Sequence, residues 1–248
     1  MMKRTGTSFA TALAFVLILL GISSPLYSQD ANDPFESFNR RVHGLNIALD
    51  KSIVRPVSFA YVENVNDGLR RMINNFAENL SVPGDILNNV LQGEFQSGLQ
   101  NTGKFLINST LGFAGLGTPA EDLGIGGDKS DFGTTLHTWG VGEGFYVELP
   151  LFGPSTSRDA TGKIVDWITN PIAPLIEPPV NYYTTSSMIA KAMDTRVAYA
   201  AAFESVLYDS IDSYSQTKLI YLQTRRFSLG GRDEDVYDDL YEDLYGTE

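Results

Sequence analysis

Residues 65–106 decide the fold and read VNDGLRRMINNFAENLSVPGDILNNVLQGEFQSGLQNTGKFL. Apolar side chains recur at every third or fourth position, as on one face of an α-helix, while Asn, Arg and Glu occupy the other face. Pro83 and Gly84 interrupt this pattern, so the stretch predicts two amphipathic helices with a break between them. The apolar positions are Val65, Leu69, Met72, Ile73, Phe76 and Leu80 in the first helix and Leu87, Val90, Leu91, Phe95, Leu99, Thr102, Phe105 and Leu106 in the second.

Further helices are predicted on both sides of this stretch. Asp33, which stands before Pro34 in the segment DPFESFNRR, is suited to cap a helix that begins there. Apolar spacing predicts three more helices, and the fold class is therefore mainly α, with a single helical domain over residues 29–232. The three helices are expected from near Asp159 to Pro171, from about Ser186 through Leu207, and through Ile211 and Leu222.

Residues 111–144 are rich in glycine and show little helical spacing. We expect loops and short turns there, because glycine tolerates backbone conformations that other residues avoid. The following residues, from Phe145 to Phe152, alternate weakly and contain Pro150, which predicts at most one short strand. Gly153 and Pro154 are expected to end it.

The two ends of the chain differ from its middle. Lys3 and Arg4 precede an apolar run over residues 9–22 and a turn-prone stretch that ends at Ser28, which is the pattern of a secretory signal peptide over residues 1–28. We expect cleavage after Ser28, with Ala31 as the alternative. Residues 233–248 hold eight acidic residues and no Lys or Arg. We interpret them as a disordered acidic tail, with docking to a basic partner as the alternative.

Composition excludes several classes of function. The net charge is -12 and the chain lacks clustered Lys and Arg, so nucleic acid is not an expected partner. The chain has no cysteine, which excludes disulfides, thiol ligands and a thioether-linked lipid anchor. Any attachment to a membrane must therefore be made by side chains.

Catalytic and cofactor-binding patterns are sparse. His43 and His137 lack the spacing of metal ligands, and we expect no metal, cofactor or catalytic residue. Ser155 and Ser157 precede a predicted helix, where turn and capping roles are more common than nucleophilic catalysis. The glycines from 140 to 144 lack the strand and helix that would flank a phosphate loop.

The amphipathic helices admit two interpretations. They could cover an ordinary soluble core, or they could lie in the interface of a bilayer, where helices satisfy their own backbone groups. Periodicity alone leaves both open.

Six separate motifs, in order between residues 33 and 171, resemble the MlaA/VacJ family of bacterial outer-membrane proteins. The motifs are DPFESFNRRV, IVRPVSFAY, NNFAENLSVP, NNVLQGEF, KFLINSTLGFAGLGTPA and DFGTTLHTWGVGEGFYVELPLFGPSTSRDATG. The sequence departs from the family at Phe145, where proline is common, and in lacking the cysteine of the lipoprotein members.

The resemblance implies a ring-like helical molecule in the inner leaflet of the outer membrane, around an amphipathic channel. It implies a transport component and not an enzyme, which passes mislocalised phospholipid from the outer leaflet to a soluble periplasmic carrier and associates with trimeric porins. The implied location is the periplasmic face of the outer membrane, with a partly soluble periplasmic form left open. Alternatives are an envelope or porin interaction protein that binds no lipid, and a periplasmic hydrolase dependent on His137.

The resemblance also implies roles for particular residues. Phe38, Asn39 and Arg40 match an element expected to pack or gate near the start of the domain. Arg158 and Asp159 match a motif in which we expect a structural ion pair or cap. Candidates for the lipid path are Gly133, Thr134, Gly140, Gly142 and Gly144.

Overall fold

The computed structural model describes residues 33–172 and 180–230, and within them the chain is mainly helical, which confirms the predicted class. The predicted signal peptide and acidic tail lie outside the described residues. The α-helices are α1 (Glu36–Leu49), α2 (Arg55–Asn64), α3 (Asp67–Gln92), α4 (Phe95–Thr110), α5 (Pro119–Asp122), α6 (Phe132–Thr138), α7 (Ser157–Thr169), α8 (Val180–Ala198), α9 (Ala200–Glu204) and α10 (Ser213–Ser228). The strands are β1 (Tyr146–Leu149) and β2 (Gly153–Thr156), and π-helical turns occupy Asp50–Val54 and Ser205–Asp209.

Helices α1 and α2 form one continuous helical segment, joined by the π-helical turn Asp50–Val54. Pro56 lies at the start of α2, where its missing N–H is tolerated because the π-helical turn has already changed the hydrogen-bond pattern. The predicted cap by Asp33 is wrong, since Phe35 holds the capping position without a side-chain bond. Asp33 instead accepts hydrogen bonds from Asn39 at 2.8 Å and from Tyr214 of α10.

Helix α3 runs without interruption through Pro83, so the predicted break at Pro83 and Gly84 is wrong. The helix ends ten residues later, at Gly93, whose φ of 82° suits a left-handed cap. An interior proline costs about 3 kcal/mol in an isolated helix. Here α3 packs against α4, α6 and α8, and these contacts hold both sides of the proline in one helix.

The glycine-rich segment lies on the α3–α4 pair and is held by amide side chains. Asn89 and Asn101 both donate to the carbonyl of Asp128, at 3.0 and 2.9 Å, and Asn101 also accepts from the backbone of Gly127 at 3.1 Å. Asn108 accepts from the backbone of Ala120 at 3.0 Å. The segment is not only loop, because it contains α5 and α6.

Strands β1 and β2 form an antiparallel hairpin in which Tyr146 pairs with Thr156 and Leu149 with Gly153. The prediction of at most one strand is therefore wrong, as is the expectation that Gly153 and Pro154 end the extended region. Pro154 is tolerated because a two-stranded hairpin has only edge strands. The turn places Leu151 at a φ of 67°.

The later helices differ from expectation mainly at their ends. Helix α7 begins at Ser157, and Thr156 is its cap, accepting from the backbone of Asp159 at 3.2 Å, so the predicted capping role of Ser155 or Ser157 is wrong. Helix α8 begins at Val180, six residues before the expected start. Helix α10 contains Leu222 as predicted, whereas Ile211 precedes the helix and its predicted inclusion is wrong.

Helices α6 and α7 approach each other through two glycines. A Cβ on Gly162 would meet the backbone nitrogen of Gly133 and would lie 2.8 Å from its Cα. We therefore expect Gly162→Ala to lower the free energy of unfolding by about 1–3 kcal/mol, as overpacking does.

Gly44→Ala is the matched control for Gly162→Ala. Gly44 also lies within a helix, and a Cβ there meets nothing within 4 Å. This substitution should stabilise the protein by about 0.4–1 kcal/mol because it restricts the unfolded chain. Thermal unfolding in mild detergent measures both, and equal effects of the two substitutions would contradict the close approach.

Candidate functional site

The interior of the molecule is polar. Among the described residues, twice as many polar and charged residues as apolar ones are buried. Buried polar groups are tolerated only when they are hydrogen-bonded. Most of these side chains bond to one another or to the glycine-rich segment, so this interior is an organised network. It includes Asn39, Asn79, Asn88, Asn89, Asn101, Asn108, Thr135, Glu148, Arg158 and Asp159.

Apolar side chains are correspondingly directed outward. Helix α4 is the clearest case, because Ser97, Asn101 and Asn108 are buried while Leu99 is 74% exposed and Phe95 is 67% exposed. On α7, Trp167 is 80% exposed. Monomeric soluble proteins rarely expose apolar side chains on this scale.

The outward direction of the apolar faces distinguishes between the two interpretations of the amphipathic helices. A soluble core requires those stripes to point inward, and the stripe of α4 does the opposite. No helix in the described part of the chain is long and apolar enough to cross a bilayer. The polar sides of the helices face one another and the apolar sides face outward, as the second interpretation requires.

Asn39 and Asn46 attach α1 to the hairpin. They lie two helical turns apart, and each pairs with the backbone of β1 or its turn as a neighbouring strand would. Asn39 donates to the carbonyl of Tyr146 at 3.2 Å and accepts from the backbone of Glu148 at 3.0 Å. Asn46 does the same with the carbonyl of Leu149 at 3.0 Å and the backbone of Leu151 at 2.8 Å. The open edge of β1 is thereby covered.

The residues on either side of Asn39 point elsewhere. Phe38 is exposed, and Arg40 contacts Glu36 at 2.6 Å and Asp212 at 2.9 Å on the surface. The sequence grouped Phe38, Asn39 and Arg40 as one element, whereas the structure gives them three different environments. Their predicted packing or gating role stays a prediction.

Arg225 joins α10 to the starts of α6 and α7. Its guanidinium contacts Asp131 at 2.8 Å and Asp159 at 3.1 Å, and Asp159 also contacts Arg158 at 3.1 Å. Burial is the largest single effect and raises the pKa of both carboxyls. The hydrogen bonds and positive charge of Arg225, together with hydrogen bonds from Thr134 to Asp131 and from Tyr221 to Asp159, outweigh it in sum and hold each pKa below its usual value. Asp131 also caps α6 by accepting from the backbone of Thr134 at 2.7 Å.

The five candidates for the lipid path do not share one surface. Gly133 is enclosed, because a Cβ there would lie 2.6 Å from a carboxylate oxygen of Asp159, and Thr134 follows it in α6. Gly140 and Gly144 lie in the next loop with φ values of 85° and 72°. Gly142 lies between them, is exposed and has open space where a Cβ would be.

A cavity of about 200 Å³ lies between α3, α7 and α8. Asp85 and Asp166 line it together with Ser81, Leu87 and Met188. Burial raises the pKa of Asp85 to about 6, although the backbone of Ser130 donates to it at 3.1 Å, and burial also raises the pKa of Asp166. The sequence analysis did not single out these aspartates, because they meet only in the folded chain, where α6 packs against both α3 and α7 and Asn88 bonds to Asp166.

A serine, a histidine and a glutamate lie in line, as in many hydrolases. His43 contacts Ser213 at 3.1 Å through Nε2 and Glu148 at 3.3 Å through Nδ1. His43 and Glu148 are buried, none of the three lines the cavity, and Tyr146 also donates to Glu148 at 2.6 Å. The group ties α1, β1 and α10 together, and we assign it a structural role.

His137, on which the hydrolase alternative depended, lies elsewhere. Its Nδ1 is 3.4 Å from Arg158, and within the described residues it makes no hydrogen bond to a serine. Within the two described ranges, no three His, Asp or Glu side chains are grouped so that they could hold a metal ion.

The sequence of the whole domain decides its family. A family model described as MlaA lipoprotein matches residues 31–228. The chain belongs to the MlaA family. This confirms the resemblance found in the sequence motifs.

Individual MlaA relatives cover most of the chain. It is 32% identical over 236 residues to the intermembrane phospholipid transport system lipoprotein MlaA of Escherichia coli strain K12, which covers 90% of this chain and 88% of that protein. An uncharacterized protein of Rickettsia bellii strain RML369-C is 30% identical over 207 residues, with 81% of this chain and 78% of that protein covered.

A solved structure has a similar fold. It was described under "Structural basis for maintenance of bacterial outer membrane lipid asymmetry" and matches with a TM-score of 0.66 and 29% identity, covering 80% of this chain and 99% of that chain. The mainly α, single-domain architecture is thus that of a known MlaA-related structure.

Replacing Arg225 tests the charged network. Arg225→Met leaves Asp131 and Asp159 without their main cation. We expect a loss of about 3 kcal/mol, as when one partner of a buried pair is removed, because Asp159 is buried. The half-exposed Asp131 contributes little to this loss. Arg40→Met is the control, because its exposed pairs should contribute at most about 1 kcal/mol. Chemical unfolding at neutral pH measures both.

The stability that Arg225 contributes should depend on pH. The lowered pKa values of Asp131 and Asp159 mean that the Arg225 contribution is fully present above their unfolded pKa of 3.8 and is lost as the pH falls through the lower folded values. In Arg225→Met the unpaired carboxyls accept protons more readily. The difference in free energy of unfolding between the wild type and Arg225→Met should therefore shrink below about pH 4. A difference that stays constant with pH would contradict this account.

Proposed function

We propose that this protein is a phospholipid transport component of the outer membrane, without catalytic turnover. It would remove mislocalised phospholipid from the outer leaflet and pass it to a periplasmic carrier. The observation that carries the proposal is the inverted distribution of side chains, with apolar faces outward and a hydrogen-bonded polar interior. The printed name of the Escherichia coli relative, a lipoprotein of an intermembrane phospholipid transport system, supports it.

The physical basis is the amphiphilic nature of the cargo. Acyl chains can stay against an apolar surface, while the head group needs a polar path, which we call the polar lane. The same helices have an apolar side and a polar side and so provide both. The residues from Gly140 to Gly144 could line such a lane. Gly140 and Gly142 both have open space where a Cβ would be, and Gly142 has it without a positive φ. We propose that Phe38, exposed beside the buried Asn39, contributes to gating.

Location and partners follow from the same surface. The apolar faces would hold the protein in the inner leaflet at the periplasmic side of the outer membrane, with no covalent lipid anchor. A soluble periplasmic carrier would receive the lipid, and a trimeric porin is a further proposed partner. An envelope interaction protein that binds no lipid is the alternative, and the exposed apolar side chains alone would fit it as well.

The test is mass spectrometry of lipids extracted from the mature protein after its purification in mild detergent from an outer-membrane fraction. We expect stoichiometric phospholipid, reduced when Gly142 is replaced by Trp. Gly44→Ala serves as the control because it lies in α1 and meets no neighbour. Protein without lipid would refute the transport proposal and favour the interaction protein.

Membrane attachment is tested separately on α4. Leu99→Glu adds a charge to an outward apolar face, and we expect a large part of the protein to leave the membrane fraction, because burial of this face drives attachment. Gln100→Glu adds the same charge at the neighbouring exposed polar position and should leave attachment unchanged. Fractionation followed by immunoblotting measures both, and equal release would argue against attachment through this face.

A further inference from the structure

The cavity between α3, α7 and α8 has the wrong charge for a phosphate group. Its lining contains two carboxylates, from Asp85 and Asp166, and no Lys or Arg. Hydroxyl and amide oxygens of Ser81, Asn88 and Ser130 add further acceptors, while Leu80, Leu87 and Met188 supply an apolar wall. Such a lining favours a cation that has an apolar extension.

The two carboxylates differ in the number of hydrogen bonds that they already accept. Asp166 accepts from the backbone of Phe132 at 3.0 Å and from Asn88 at 2.9 Å, so it is fixed in the network. Within the described residues, Asp85 accepts a hydrogen bond from the backbone of Ser130 at 3.1 Å, and this bond is to Oδ1. Asp85 is therefore the carboxylate with an oxygen left for a ligand.

The size of the cavity restricts the ligand further. Its volume of about 200 Å³ lies below the range of about 300–1,000 Å³ that is typical of sites for drug-sized molecules. The ethanolamine end of a head group fits this space, whereas a complete phospholipid does not. The phosphate and the acyl chains would have to remain outside the cavity.

We propose that this cavity binds the primary ammonium of an ethanolamine head group, with Asp85 as its counter-ion. The proposal rests on the phospholipid transport proposed above and deepens it by naming the preferred substrate class. An ammonium has three N–H donors, and the carboxylate and the neighbouring oxygens can accept hydrogen bonds from them. A phosphoglycerol head group has no cation and gains nothing from Asp85.

To test this, the purified full chain is mixed with micelles that contain equal amounts of phosphatidylethanolamine and phosphatidylglycerol. The lipids that remain bound to the protein are then quantified. We expect ethanolamine lipid to be enriched about fivefold, as one partly exposed charge-assisted contact allows. Asp85→Asn should bring the ratio close to one while total bound lipid is retained. Asp122→Asn removes an exposed acid outside the cavity and should leave the enrichment unchanged.

The outcomes separate this inference from the proposed function. Absence of any bound phospholipid in the wild type refutes transport itself. Stoichiometric lipid with the same head-group ratio in wild type and Asp85→Asn refutes the ammonium site alone. A ratio near one together with binding of free ethanolamine that requires Asp85 shows an amine site unrelated to lipid and overturns the assignment.

The enrichment should also depend on pH. The pKa of Asp85 is raised to about 6 by burial, so the carboxylate is charged above that value and neutral below it. The charged groups around it are Glu78 on α3, Lys104 on α4, Lys129 before α6, Asp166 on α7 and Lys191 on α8, which is paired with Glu78 at 3.0 Å. Enrichment should be present near pH 8 and lost near pH 5. A ratio independent of pH would contradict the role of Asp85.

Discussion

The hydrogen bonding of buried polar side chains is the interaction on which the rest of this structure depends. Because the apolar faces of the helices point outward, the polar faces meet inside, and each buried amide or carboxylate must find a partner there. Asn101 is one example, because its amide bonds to the backbone of residues 127 and 128. Without these bonds, the glycine-rich segment would have buried backbone groups with no partner.

The same constraint explains the position of the charged network. Arg225 bonds to Asp131 and Asp159 at the starts of two helices, and Asp131 also caps the backbone N–H of Thr134. The glycines at 133 and 162 allow those helices to approach closely enough for one guanidinium to contact both carboxylates. Close packing and charge pairing therefore depend on each other at this junction.

The sequence predicts the helical class and the family, because both are carried by local spacing and by ordered motifs. It does not predict that α3 continues through Pro83, because packing against α4, α6 and α8 decides this. It also does not predict β2, because Gly153 and Pro154 are poor strand formers and the strand exists through its pairing with β1. The direction of the apolar stripe on α4 is also undecided by periodicity, which is identical for an inward and an outward face. The pairing of Asn39 with β1 and the meeting of Asp85 with Asp166 arise only in the folded chain.

The central claim, that outward apolar faces contact lipid while the interior stays polar, can be measured with spin labels. The chain has no cysteine of its own, so single labels can be introduced at Leu99 and at Gln100 of α4 without background. In membranes, collision rates with oxygen and with a water-soluble nickel complex report whether each label meets lipid or water. The account predicts that the Leu99 label collides mainly with oxygen and the Gln100 label more with nickel. A Leu99 label that is as accessible to nickel as the Gln100 label would contradict the account.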